Sequence, residues 1–183
     1  MRFAVAVAAI TVLTSSSAYA DRDSFVGIGV LSSVSAGTHA MAGVGGELTL
    51  TSLDGDFVGW GSYVQVEAGK DLSANTSHLG DLRRFATGLM YIHEMFGVEV
   101  GGMYRTATGL AGTGGLQLGA FTTLGFGSIE LRAGLAPSST VGGVRRYGSD
   151  IGIAFAAKLP VQIRGNAVSI KSFRIVPCIW RCR

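Results

Sequence analysis

Hydrophobic and polar residues alternate with a period of two along most of the chain. This period is typical of β-strands, in which successive side chains point to opposite faces. Clusters of Gly, Asp, Asn, Ser and Pro interrupt the alternation, and such clusters are typical of turns and loops. The pattern predicts eight strands: Ser24–Val34, Gly43–Thr51, Phe57–Gly69, Arg84–His93, Val98–Thr106, Gly115–Leu124, Ser128–Ala136 and Gly148–Leu159.

The connections between these strands alternate in predicted length. Residues 36–42, 70–83, 107–114 and 137–147 form long connections, whereas residues 52–56, 94–97 and 125–127 form short ones. In an up-and-down barrel, consecutive connections lie at opposite ends of the strands. The sequence therefore predicts an all-β fold, an antiparallel up-and-down β-barrel of about eight strands. Its long loops lie at one end, and both termini lie at the short-turn end.

Sorting the strand residues by parity separates two faces of different chemistry. One face is rich in Val, Leu, Ile and aromatic residues, for example Val58, Trp60 and Val64. The other holds most strand glycines and the strand charges, although the strand at Arg84–His93 alternates poorly. We expect the charges of the second face to form a network of ion pairs, because an unpaired buried charge is strongly destabilising. Its predicted members are Glu47, Glu67, Glu99, Arg105, Glu130, Arg132 and Lys158.

The two faces allow two orientations. In a membrane barrel the apolar face contacts lipid and the charged, glycine-rich face lines a narrow lumen. In a soluble barrel the apolar face forms the core and holds an apolar ligand. Glycine weakens a strand and suits a crowded interior better than a solvated surface, and a Lys or Arg facing lipid is unfavourable. The membrane orientation is therefore the main prediction, with a soluble exported, periplasmic barrel as the alternative.

Composition agrees with this prediction. Glycine accounts for 28 of 183 residues and charged residues for only 15 %, whereas charged residues make up about 25 % of soluble domains. The basic residues are scattered, without the basic stripe and interleaved aromatic residues of a nucleic-acid surface. Three aromatic residues lie beside short turns (Phe57, Phe96 and Phe126), and Tyr104 and Tyr147 lie toward long loops. Aromatic girdles of this kind flank the lipid-facing band of membrane barrels.

The N-terminus predicts export. Arg2 precedes a short apolar run, and Ala18-Tyr19-Ala20 forms a small-residue cleavage site, which is the order of features in a secretory signal peptide. We therefore predict a signal peptide at 1–20, a barrel domain at 21–160 and a basic C-terminal extension at 161–183. The extension is expected to be a periplasmic segment, an added strand or sequence outside the fold. Cys178 and Cys182 both lie in it and can pair with each other or between chains.

Few motifs suggest chemistry. His93-Glu94 begins a zinc-protease motif, but Gly97 stands where the second histidine is needed. The long loop carries Asp71, Ser77, His78 and Asp81, the residue types of a hydrolytic triad. A lipid-modifying barrel enzyme that uses Ser77 and His78 is thus a second alternative. The main prediction is a non-enzymatic protein without cofactor or metal.

The chain resembles the small eight-stranded outer-membrane β-barrel proteins of Gram-negative bacteria. The resemblance lies in the predicted signal peptide, in the alternation of long and short connections, and in strands with period-two alternation such as Gly115–Ala120 and Ser128–Ala133. The resemblance implies an outer-membrane location and a structural, surface-contact or narrow-pore role. It implies outer-membrane lipid and the barrel-assembly machinery as partners, with neither nucleic acid nor a known small-molecule ligand. Members usually end on an aromatic residue that the assembly machinery reads, whereas this chain ends in Arg183. The resemblance assigns no catalytic residue.

Overall fold

A computed structural model of the chain describes residues 23–37, 39–72, 78–138, 140–145, 148–164 and 167–170. These residues form strands joined by turns and loops. No helix among them is long and apolar enough to cross a membrane. The strands are β1 (Asp23–Gly37), β2 (Met41–Leu53), β3 (Val58–Asp71), β4 (Leu82–His93), β5 (Phe96–Ala107), β6 (Leu110–Leu124), β7 (Gly127–Leu135), β8 (Thr140–Val141), β9 (Val144–Arg145), β10 (Asp150–Arg164) and β11 (Ala167–Ile170).

Eight long strands, β1–β7 and β10, close into one barrel. Each strand pairs antiparallel with its neighbour along the chain, and β10 pairs with β1 to complete the circuit. The prediction of an all-β, antiparallel, eight-stranded barrel is confirmed. Closure leaves no free edge among these strands over their paired length, which removes the main route by which exposed strands aggregate.

The register of the strands fixes the tilt of the barrel. The register shift on closure is found by starting at Phe25 of β1 and moving to the paired residue on each successive strand. After all eight strands this path returns to β1 at Ser35, so the shift is ten residues. A shift of ten residues over eight strand spacings tilts the strands by about 41° from the barrel axis. The interior of an eight-stranded barrel is only wide enough to be filled by side chains.

Two of the four predicted long loops are wrong. β1 and β2 are joined by residues 38–40 only, and β5 and β6 are joined by Thr108-Gly109. The predicted loop at residues 107–114 is strand from Leu110 onward because its glycines continue the cross-strand pairing with β5. In this two-residue turn Gly109 has a φ of +77°, a conformation that glycine adopts without strain. The long connections are residues 72–81 and 136–149, and the second contains the β8–β9 hairpin.

The eighth long strand continues beyond its predicted end at Leu159. Strand β10 passes through Pro160 and pairs with β1 as far as Ile163. Proline is tolerated at position 160 because its nitrogen does not face β1. The backbone N–H of Lys158 donates to the backbone oxygen of Phe126 at 2.7 Å, on the side away from β1. Two residues later in the strand, the nitrogen of Pro160 faces the same side. The pairing with β7 has already ended there, at Ala157, so the missing donor of proline costs no ladder hydrogen bond.

The start of the predicted C-terminal extension also forms structure. Strand β11 pairs with Val161–Arg164 of β10, which corresponds to an added strand among the three expectations for this extension. The predicted signal peptide at 1–20, Ser77, Tyr147, Cys178 and Cys182 lie outside the described residues.

The apolar face of the strands points outward, which is the orientation predicted for a membrane barrel. Trp60 is 59 % exposed, and Val58 and Val64 lie on the same outer face, partly exposed. The glycine-rich and charged face points inward. The expectation of the soluble alternative that these apolar rows form the core is therefore wrong. In β4, Arg84, Ala86 and Met90 point inward.

Candidate functional site

The barrel interior and its outer wall are the two regions whose residues are unusual enough to suggest a function. The interior is considered first because it contains the seven charged residues predicted from the sequence. All seven lie on the inner wall; six are at most 6 % exposed, and the side chain of Lys158 is 23 % exposed.

The central cluster is built around Arg132 of β7. Its Nη1 lies 2.5 Å from Glu67 Oε1 on β3, and its Nε lies 2.8 Å from Glu130 Oε2 on its own strand. The hydroxyl of Ser33 on β1 donates to the other oxygen of Glu67 at 2.5 Å. Two carboxylates and one guanidinium are thus held together across the barrel. Such charge-assisted contacts are stronger than neutral hydrogen bonds.

A second cluster lies toward the end with the long loops, and it contains two residues that sequence reasoning missed. Arg105 Nη1 contacts Asp150 Oδ1 at 2.8 Å, and Arg84 Nη1 lies 3.9 Å from Asp150 Oδ2. Arg105 also donates to the backbone oxygen of Gly148 at 2.7 Å. Arg84 was missed because β4 alternates poorly, and Asp150 was missed although it lies inside the predicted strand Gly148–Leu159. The parity of Gly152, Ala154 and Ala156 would have assigned Asp150 to the inner face.

Gln117 of β6 connects the interior charges. Its side-chain oxygen accepts a hydrogen bond from Arg84 Nη2 at 2.6 Å. Its amide nitrogen donates to Gln65 Oε1 at 2.8 Å and to Glu99 Oε1 at 2.5 Å. Glu99 is the one predicted network member without an ion-pair partner among the described residues. Its side chain instead approaches that of Glu130 over Gly119, where a Cβ atom would collide with both.

Glycines make room for these long side chains. Gly88 and Gly101 are paired across β4 and β5, and the hydroxyl of Tyr63 lies over Gly101. A Cβ atom on Gly101 would lie 2.6 Å from that hydroxyl, 2.7 Å from the Cα of Gly88 and closer still to the carbonyl oxygen of Thr87. The inner glycines therefore leave space that Tyr63, arginine and glutamine side chains fill. Gln117 is fully buried, and Tyr63 and Gln65 are 1 % exposed.

The interior changes along the barrel axis. At the loop end, buried Met41 and Leu82 pack with Ala107 and Leu110 in a small apolar cluster. Arg84 and Arg105 of the ion-paired layer follow two residues further from the loops on β4 and β5. At the short-turn end, a cavity of about 840 Å³ opens, with Phe25, Met90, Ile92, Phe121 and Lys158 among its lining residues. Lys158 forms an ion pair with Glu47, and its Nζ lies 6.0 Å from the centre of the Phe121 ring.

The outer wall carries a belt free of charge. Among the described residues of the eight long strands, the only outward-facing Lys, Arg, Asp or Glu residues are Lys70 and Arg83, both near the loop end. On β4 the belt extends from Arg83 to His93, at the turn end. Ten residues at about 3.3 Å each, tilted by about 41°, rise about 25 Å along the axis. The lipid-facing band of membrane barrels is also about 25 Å tall.

Aromatic side chains flank this belt. Near the turn end, Phe57, Phe96, Phe126 and Trp60 are exposed, and Trp60 packs against Tyr91 with ring centroids 4.9 Å apart. Near the loop end, Phe85 and Tyr104 form an exposed cross-strand pair. Aromatic rings favour the interface between hydrocarbon and water, where one part of the ring is apolar and another is wetted.

The loop residues considered for hydrolytic chemistry are partly separated. Asp71 pairs with His39 Nδ1 at 2.7 Å. Asp81 accepts a hydrogen bond from the backbone N–H of His78 at 2.6 Å, and its carboxylate is 3.9 Å from the His78 ring nitrogen. Within the described part of the chain, no group of three or more His, Cys, Asp or Glu residues is placed to hold a metal ion.

Comparison of the chain with protein-family models, with curated proteins and with solved structures found no match.

Proposed function

We propose that the chain is a non-enzymatic outer-membrane β-barrel with a structural or surface-contact role. The observation that carries the proposal is the charge-free apolar belt about 25 Å tall on the outside of a barrel whose inside is ion-paired. In water, this arrangement would expose a continuous wall of Val, Leu, Ile and Phe side chains. Contiguous exposed apolar surfaces of that extent are rare on soluble monomers.

The ion-paired layer of the interior favours a structural or surface-contact role over a narrow pore. The side chains of Glu67, Arg84, Arg105, Arg132 and Asp150 are at most 3 % exposed. A small apolar cluster around Met41 and Leu82 adds further buried side chains at the loop end. An ion crossing the barrel would have to break several ion pairs. We therefore expect no stable conductance when the protein is inserted into a planar bilayer.

Two measurements test the proposal together. On cell fractionation, we expect the full chain in the membrane fraction, resistant to salt and carbonate washes and released by detergent. In detergent, the folded barrel should migrate differently on a gel before and after heating, because closed barrels resist unfolding by dodecyl sulfate. Recovery of folded protein in the soluble fraction without detergent would contradict the proposal. A steady conductance would contradict the closed interior while leaving the membrane location intact.

A further inference from the structure

A groove on the outer wall is separate from the cavity at the turn end, although Glu67 and Arg84 of the interior network are among its lining residues. It has a volume of about 460 Å³ and crosses β2 to β5 near the loop end. Gly46 and Ala68, the smallest outward residues there, form its floor, and Val66, Phe85 and Tyr104 rise beside them. The groove is thus an apolar depression in the belt that we propose to contact lipid.

One end of the groove carries positive charge. Arg83 lies directly opposite Ala68 in the register of β3 and β4. Lys70 follows two residues after Ala68 on the same face, which places the two backbones about 7–8 Å apart as diagonal neighbours. Both side chains are exposed. Within the described part of the chain neither forms an ion pair; Arg83 Nε donates only to the backbone oxygen of Gly80, at 3.3 Å.

The position of these cations identifies the occupant by its chemistry. They are the only Lys or Arg residues facing outward from the described long strands, and they lie where the apolar belt ends. In a bilayer, this level is occupied by lipid phosphates, whereas the groove below it lies at the level of acyl chains. Arginine binds phosphate through two parallel N–H donors and lysine binds it as a compact charge.

We infer that the groove binds one acyl chain of an anionic, phosphate-bearing membrane lipid while Arg83 and Lys70 bind its phosphate group. This inference rests on the proposed membrane location. A soluble partner protein fits this site less well than a lipid. Its polar groups would contact charges around the rim of the groove, whereas both cations lie at one end of the groove. The combination favours a molecule with one charged end and one long apolar end.

The experiment measures lipid retention by the purified barrel in a neutral detergent. The probes are dioleoyl phosphatidic acid and dioleoyl phosphatidylcholine, which share the same chains, and bound lipid is counted by native mass spectrometry. We expect phosphatidic acid to be retained in preference to phosphatidylcholine and not to be displaced by excess inorganic phosphate. Arg83→Gln and Lys70→Gln should each weaken retention about fivefold.

A matched pair of variants tests the groove separately from the charges. Ala68→Leu fills the groove floor and leaves both cations, whereas Ala120→Leu adds the same side chain to an outward position on β6. We expect Ala68→Leu to reduce retention of phosphatidic acid and Ala120→Leu to leave it unchanged. Both variants should still show the heat-dependent gel shift of the folded barrel.

Three results would overturn the inference: equal retention of both lipids, displacement by inorganic phosphate, or an unaffected Ala68→Leu variant. Each of these can occur in a protein that still requires detergent, so the proposed membrane location would survive. A protein that stays soluble without detergent would instead contradict the membrane proposal, and the lipid inference with it.

Discussion

The inner and outer walls of this barrel are made by the same strands, yet they follow opposite rules. On β5, Val98 and Val100 are more than half exposed, while Glu99 between them is 5 % exposed. In a water-soluble protein the apolar side chains would face the interior and the charged side chains would face the solvent. This chain therefore pairs its strand charges inside the barrel and leaves its apolar side chains outside, and the proposed membrane location rests on that difference. Four comparisons of substitutions test that difference, described from the largest expected effect to the smallest.

The largest effect is expected at Glu67. Replacing Glu67 by Leu leaves Arg132 with one partner fewer and deprives Ser33 of its acceptor. Breaking a buried pair in this way costs about 3–5 kcal/mol. Val66→Leu, on the outer face of the same strand, should change the free energy of unfolding by no more than about 0.5 kcal/mol. Urea titration in detergent micelles measures both, and equal stabilities would contradict the inward assignment of Glu67.

A charge placed on the outer wall is the converse test. Val100→Lys lies near the middle of the belt and should destabilise the barrel by about 2–4 kcal/mol in lipid vesicles. Thr106→Lys lies on the same strand and face, opposite Arg83, where the cost falls to about 0–1 kcal/mol. Refolding yield and urea unfolding in vesicles report the difference. If Val100→Lys leaves the refolding yield and the free energy of unfolding unchanged, this face contacts water.

Adjacent glycines on opposite walls provide a third comparison. Gly101→Ala pushes a methyl group against backbone atoms of β4 and the hydroxyl of Tyr63, and such overpacking costs about 1–3 kcal/mol. For Gly102→Ala, no atom lies within 4 Å of the added carbon, so we expect unchanged or slightly higher stability. Thermal unfolding followed by circular dichroism separates the two. Similar melting temperatures would mean that the inner wall is less closely packed.

The smallest effect is expected at Glu99, which forms hydrogen bonds but no ion pair with the other described residues. Glu99→Gln keeps an oxygen that accepts the hydrogen bond from Gln117 and leaves both carboxylate contacts of Arg132 in place. Its stability should stay within about 0.5 kcal/mol of the parent chain. Glu67→Gln is the matched control, because it removes the same charge from an ion pair with Arg132 and should cost about 1–3 kcal/mol. A larger loss at Glu99 than at Glu67 would contradict this ranking.

Much of the fold follows from the sequence because the side-chain period of a strand is unambiguous where the two walls differ in chemistry. It works for Ser128–Ala133, whose alternate residues are apolar and charged. It fails for β4, because Met90 and Ile92 line the apolar cavity at the turn end and are as apolar as the outward Leu89. Parity carries no information where both walls are apolar.

The lengths of the loops and the ion-pair partners of the inner charges were harder to predict. Glycines in residues 107–114 indicated a loop because glycine favours turns, although here they continue β6. The charges on the inner wall could be identified by parity, but their pairing could not. Arg105 contacts Asp150 because of the ten-residue shift of register around the barrel, and that shift is fixed only when β10 pairs with β1, which is far away in sequence.

Spin labels along β5 test the central claim most directly. In a chain carrying Cys178→Ser and Cys182→Ser, single cysteines replace Val98, Val100, Gly102 and Thr106 in turn and are labelled in lipid vesicles. At the first three positions we expect frequent collisions with oxygen, which dissolves in lipid, and few collisions with a water-soluble nickel chelate. Chelate access should rise at Thr106. High chelate access at Val98, Val100 and Gly102 would show that this wall faces water and would contradict the account.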